Sequence, residues 1–132
     1  MKKYFFQILF LVVLGLTACR EEVKLSDSTY VFRAAENLTV TLNFDDRSGQ
    51  YFGRAVNRYF GTYRLDGEKL ILGPVSSTMM SGNPDKMAAE EDYLNRLGQV
   101  ESYRLTPEKL TLTLKDGRQM IFAPRKEQED NP

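Results

Sequence analysis

No histidine and no tryptophan occur among the 132 residues, and cysteine occurs once. Without imidazole, neither a Ser-His nor a Cys-His catalytic pair can be assembled. Zinc loses its usual nitrogen donor and all but one sulfur donor. A single thiol excludes a disulfide within the chain, whatever its compartment. Basic excess is missing too: eighteen Lys and Arg stand against eighteen Asp and Glu. That balance leaves no cationic surplus for a phosphate backbone, so nucleic acid is not an expected partner. A Gly-x-Ser-x-Gly elbow and a phosphate-binding glycine loop are both absent. Asp85 has no twelve-residue calcium loop around it. The chain is therefore expected to carry no metal, no cofactor and no enzymatic activity.

Long hydrophobic runs are scarce, and the one present stands at the start. Met1-Lys2-Lys3 leads into YFFQILFLVVLGLTA, residues 4–18, which carry no charge. A spanning helix needs about 20 apolar residues. This run is shorter, holds Gln7 and Gly15, and is followed at once by Arg20-Glu21-Glu22. It reads as a cleavable export signal. Leu16-Thr17-Ala18-Cys19 resembles a lipobox, the cleavage site of bacterial lipoproteins. The resemblance implies a lipid on the Cys19 thiol and a cut just before it. The rival is an ordinary secretory signal whose cut falls near a cysteine. Losing residues 1–18 removes Lys2 and Lys3 and leaves 114 residues with a net charge of −2, enough for one domain with one core.

The expected organisation is a signal peptide at 1–18, the lipidated cysteine and a polar tether at 19–28, a domain at 29–123 and a disordered tail at 124–132. Inside the domain, Leu38, Val40, Leu42 and Phe44 alternate with polar residues, as do Leu110, Leu112 and Leu114. Such alternation predicts strands with one buried face in an antiparallel sheet. Asp66-Gly67 and Asp116-Gly117 predict two-residue hairpins in which both residues take positive φ. Thr106-Pro107-Glu108-Lys109 predicts a longer turn. Residues 85–98, DKMAAEEDYLNRLG, break the period. They predict one amphipathic helix, capped by Asp85, ended by Gly98 and buried along Met87, Leu94 and Leu97. Glu90, Glu91 and Asp92 fan out about 100° apart and read as a solvated helix face.

Two stretches carry a family resemblance. Gly53-Arg54-Ala55-Val56-Asn57-Arg58-Tyr59-Phe60-Gly61-Thr62-Tyr63 is followed by Ser77-Thr78-Met79-Met80, then by the helix and two closing strands. As an ordered set they resemble the META domain of HslJ-type bacterial lipoproteins, over roughly residues 36–122. With the residue pattern, the expected class is α+β: a strongly bent antiparallel β-sheet or partial barrel with one amphipathic helix packed on it. Many members carry cysteine where this chain has Val56 and Gly82, so the resemblance implies that these two positions lie near each other. It also implies a tryptophan-bearing first strand, for which Thr29–Arg33 would substitute.

The resemblance implies a non-catalytic, lipid-anchored envelope protein linked to stress response, to tolerance of a hydrophobic antibiotic or to secretion. Arg20 after the cysteine points to the outer membrane, facing the periplasm. Expected partners are the membrane, through lipid on Cys19, and an envelope protein or peptide; the protein itself is expected to be a monomer. Asn57, Arg58, Tyr59, Thr78 and Met80 form the candidate partner patch. Against it stands a structural reading, in which Asn57 turns the chain and Gly53 and Gly61 mark bulges or bends. Met79, Met80 and Met87 read as a soft apolar group. Two modes of action remain. A binding module, like a pilotin chaperone of a secretin, would show a cavity or an unpaired edge. A surface-acting protein, like a small inhibitor of a cell-wall lytic enzyme, would show a filled interior and a protruding Ser81-Gly82-Asn83-Pro84 loop.

Overall fold

The structure, a computed structural model, describes residues 23–78, 80 and 82–125. The chain runs β1 (Tyr30–Ala35), β2 (Leu38–Asp45), β3 (Gln50–Arg54), β4 (Arg58–Asp66), β5 (Lys69–Leu72), β6 (Ser76–Ser77), α1 (Pro84–Leu97), β7 (Val100–Leu105), β8 (Leu110–Leu114) and β9 (Gln119–Pro124). All strand pairs are antiparallel. Their order is β3-β2-β1-β9-β8-β7-β5-β4, and β4 pairs back onto β3. Eight strands thus close a ring, and β6 adds a short outer partner to β4. The expected partial barrel is a complete one. Closure is possible because β4 is long enough to serve β3 with Arg58–Thr62 and β5 with Tyr63–Asp66. Register shifts in β1 at Arg33/Ala35 and in β7 at Val100/Ser102 add the local bend that a closed sheet requires.

Period-two alternation fills the ring. Val40, Leu42, Leu70, Leu110, Leu112 and Phe122 have no exposed surface. Aromatic rings knit the strands together: Tyr30 meets Phe44 edge-on, and Phe44 meets Tyr63 edge-on. The fold begins earlier than the tether assignment at 19–28 implies. Leu25 is buried in the core, and the Tyr30 hydroxyl donates to its carbonyl at 3.0 Å. At the other end, the Arg125 N–H donates to the Thr29 carbonyl at 2.7 Å.

Two turn expectations are corrected. Both Asp-Gly hairpins form, but no residue other than glycine has positive φ among the described residues. Gly67, with φ 60°, opens a two-residue loop between the paired Asp66 and Lys69, the φ pattern of a II′ turn. Gly117, with φ 88°, ends a three-residue loop closed by the Leu114 N–H donating to the Arg118 carbonyl and the Gly117 N–H donating to the Leu114 carbonyl, as in a type I turn with a glycine bulge. The Thr106 turn forms as expected, with the Thr106 hydroxyl accepting from the Glu108 and Lys109 N–H groups.

The helix spans the expected stretch but starts differently. Asn83, not Asp85, is its cap: the Asn83 side chain accepts the Asp85 N–H at 2.9 Å, and Pro84 occupies the first turn. Proline belongs there because its missing N–H would have no helical partner. Gly98 ends the helix with φ −66°, its N–H returning to the Leu94 carbonyl. The helix lies over the barrel end that holds the β3–β4 and β8–β9 turns, against β1 and β2. Tyr93 and Leu97 project into the core.

Candidate functional site

Asn57 organises the region where the two sequence stretches meet. It occupies the tight turn between β3 and β4 and is 3% exposed. Its backbone N–H donates to Glu90 Oε2 at 2.6 Å, and its Nδ2 donates to Glu90 Oε1 at 2.8 Å. Its Oδ1 accepts the Met80 N–H at 2.9 Å and the Thr78 hydroxyl at 3.5 Å. The amide orientation is dictated by its partners, since a backbone N–H can only donate. Thr78 Oγ1 also accepts the Arg58 N–H at 3.2 Å, and the Thr78 N–H donates to the Arg58 carbonyl at 3.0 Å. One asparagine therefore ties the hairpin, the segment after β6 and the helix together.

Glu90 is the residue that the sequence reading misplaced. It is 5% exposed, whereas Glu91 and Asp92 do stand in solvent, Asp92 pairing with Arg96 at 2.7 Å. Glu90 precedes Tyr93 by three residues and Leu97 by seven, so all three share one helix face. That spacing was visible; the acidic neighbours hid it. Burial of the carboxyl group is tolerated because both oxygens receive N–H groups from Asn57.

Below this layer, Tyr59 and Tyr93 meet inside the barrel. Their hydroxyls are 2.7 Å apart, and the Tyr59 hydroxyl donates to the Thr41 carbonyl. Tyr59 has one proton, so Tyr93 is the donor in the pair. Burial raises the pKa of both phenols; the Tyr93 hydrogen bond partly offsets this at Tyr59 and adds to it at Tyr93.

The glycines flanking Asn57 make room for rings. The β3–β4 ladder runs without a shift from Gln50↔Thr62 to Arg54↔Arg58, which corrects the expectation of bulges. Gly61 faces Tyr51, and a Cβ there would lie 2.6 Å from the Tyr51 ring. Gly53 faces Tyr59, and a Cβ there would meet the Tyr59 hydroxyl at 2.6 Å and the Thr41 carbonyl oxygen at 1.9 Å. Each glycine thus lies beneath the tyrosine of the opposite strand.

The five candidate patch residues come together, but mostly as an internal brace. Asn57 and Tyr59 are buried, and the hydroxyl of Thr78 is engaged. The side chains of Arg58 and Met80 remain exposed, Met80 by 70%. The methionines do not form one group. Met87 packs beside Asn57 and Gly82, while Met80 faces outward. Met79, Ser81 and Cys19 lie outside the described residues. A Cβ at Gly82 would sit 3.1 Å from Val56 Cγ1, so these positions are neighbours, as the family resemblance implied. Of the 81–84 loop, Gly82, Asn83 and Pro84 are exposed, with Gly82 beside Val56 and Asn83 capping the helix. Among the described residues, no group of three or more His, Cys, Asp or Glu could hold a metal ion.

Comparison with known proteins agrees with this arrangement. A family profile described as META domain matches residues 22–127. An NMR structure of a protein from Burkholderia xenovorans is similar at 22% identity and a TM-score of 0.64, over 83% of this chain and 97% of that one. A second NMR structure is similar at 18% identity and a TM-score of 0.57, over 77% and 95% of the two chains. A crystal structure of a DUF4847 family protein from Bacteroides vulgatus is similar at 16% identity and a TM-score of 0.50, covering 70% of this chain and 61% of that one. At these identities the likeness is one of fold. No curated protein matches in sequence.

Proposed function

The chain belongs to the META domain family, and from that premise we propose that it is a non-catalytic lipoprotein of the cell envelope that acts through its outer surface. Cys19 carries the lipid, the barrel faces the periplasm from the outer membrane, and the domain serves envelope stress tolerance by binding an envelope partner. One observation carries the choice of mode: Asn57, Tyr59 and Thr78 of the two family stretches are spent within the domain, on backbone groups and on Glu90 and Tyr93 of the helix. Asn57, Glu90, Thr78, Tyr59 and Tyr93 all have their partners within the domain. The ring is closed and packed with apolar side chains, which argues against a pilotin-like groove for a peptide or an acyl chain. The strand outside the ring, β6, has two residues, a short platform for strand addition. What remains available to a partner is the exterior.

The test is mass measurement of the mature protein from wild-type and Cys19→Ala cells, with fractionation of the envelope. The wild type should begin at Cys19, carry acyl groups and sediment with outer membranes. Cys19→Ala should lose all three properties. A wild-type chain that begins elsewhere, or bears no lipid, would remove the membrane from this function. Crosslinking of the lipidated protein in intact cells then identifies what the surface holds.

A further inference from the structure

One wall of the barrel concentrates cations and exposed apolar side chains. Register on β3–β4 sets Arg54 opposite Arg58 and Phe52 opposite Phe60. On β4–β5 it sets Arg64 opposite Ile71 and Lys69 opposite Asp66. Directly paired residues share a face, so on β3–β5 four cations and three large apolar side chains stand together with one acid, Asp66, while Asp45 of β2 borders them opposite Gln50. Phe52, Phe60 and Ile71 are 44%, 49% and 41% exposed. Two arginines opposite one another repel, and none of the four cations joins an ion pair among the described residues. In a chain of zero formal net charge, this is a strong local excess. Across the ring, β8 and β9 carry the uncharged Thr113, Gln119 and Ile121 on their outer side, and a single cation, Arg104 of β7, pairs onto that wall opposite Thr111.

We infer that this wall lies on an anionic lipid surface, with Phe52 and Phe60 at the headgroup–acyl boundary and Arg54, Arg58 and Arg64 on lipid phosphates. The charge is complementary, and aromatic residues set among cations are the composition of interfacial anchors. Long arginine stems lie along apolar surface while their guanidinium groups reach the phosphates. Placement agrees. Phe52 borders the same surface hollow as Ser26–Thr29, where Asp27, Asp45 and Asp46 mark the acidic edge of the wall. Six residues stand between Cys19 and Ser26, a stretch whose full reach is about 25 Å. The inference rests on the acyl anchor proposed above. That anchor holds the domain at high effective concentration beside the bilayer, so a face of modest intrinsic affinity suffices.

The absence of tryptophan supplies the test. Phe60→Trp and Ile121→Trp place one fluorophore each on β4 and β9, which lie across the ring from one another. Full-length protein is mixed with vesicles of phosphatidylglycerol and phosphatidylethanolamine bearing brominated acyl chains. Phe60→Trp should be quenched and shifted to the blue, and Ile121→Trp should not. Adding Arg54→Glu and Arg58→Glu, with unchanged circular dichroism, should abolish the quenching, as should wholly zwitterionic vesicles. Equal quenching at both positions, or none at either, overturns the inference. Flotation and mass report on the anchor separately. Quenching of Phe60→Trp without a lipidated chain would sustain the face and reject the anchor. A floating chain without quenching would do the reverse.

Discussion

Asn57 shows how far a single residue can be read from its neighbours in the chain. Its position in a turn was legible, because asparagine accepts backbone bonds where the chain reverses. Its partner Glu90, thirty-three residues away, was not, since helix spacing can set Glu90 on the face of Tyr93 and Leu97 but cannot say what it meets across the fold. Replacing Glu90 by Gln turns an N–H donor toward the Asn57 donors. It should cost about 1–3 kcal/mol of stability, while Glu91→Gln should change stability by less than about 0.5 kcal/mol. Urea denaturation of the two variants decides it, and equal midpoints would deny the brace. The flanking glycines make a second case. Gly61→Ala should destabilise by about 1–3 kcal/mol, because its Cβ meets the Tyr51 ring at 2.6 Å. In a Tyr51→Ala background most of that penalty should vanish. An undiminished penalty there would mean that backbone, rather than the ring, needs the glycine. A strand glycine by itself reads as a bulge; only cross-strand register reveals the ring that covers it.

Elements were more legible than their ends. The alternating strands, the three closing strands and the helix follow from apolar period, which local sequence states directly. The caps and turn types differ because they depend on one residue's φ and on which side chain reaches an N–H first. Asn83 captures the Asp85 N–H that was expected to belong to an Asp85-capped start. The contact between the hairpin and the segment before the helix has a covalent test. A disulfide sets one Cβ about 3 Å from the opposite sulfur, close to the 3.1 Å between a Gly82 Cβ and Val56 Cγ1. In a Cys19→Ala background, Val56→Cys with Gly82→Cys should oxidise readily and gain about 2–4 kcal/mol. Thiol titration and melting under oxidising and reducing conditions measure both effects. Two thiols that stay free after air oxidation would show that the segments do not meet as described.

At the scale of the molecule, the closed ring carries tyrosines inside it, and alkali should find them. Burial pushes Tyr30, with a smaller contribution from Asp27, and Tyr51 up to about 12 from an ordinary 10.0; Tyr59 and Tyr93 also rise. A phenol raised in the folded state favours folding fully below its unfolded pKa, and that contribution is lost as pH climbs through the folded value. The melting temperature should therefore hold below pH 10.0 and fall between there and about pH 12. Tyrosinate absorbance from the buried rings should appear together with loss of circular dichroism. Ionisation of every tyrosine near its ordinary pKa, with the fold intact, would contradict the packing. The two-sided character of each strand, the single helix and the lack of imidazole chemistry were all local properties, and local order in the chain was enough to state them. Closure of β4 onto β3, the burial of one glutamate among three acids, and the gathering of four cations on one wall were not. They depend on which residues face each other across strands far apart in the chain, and that pairing exists only once the ring has formed.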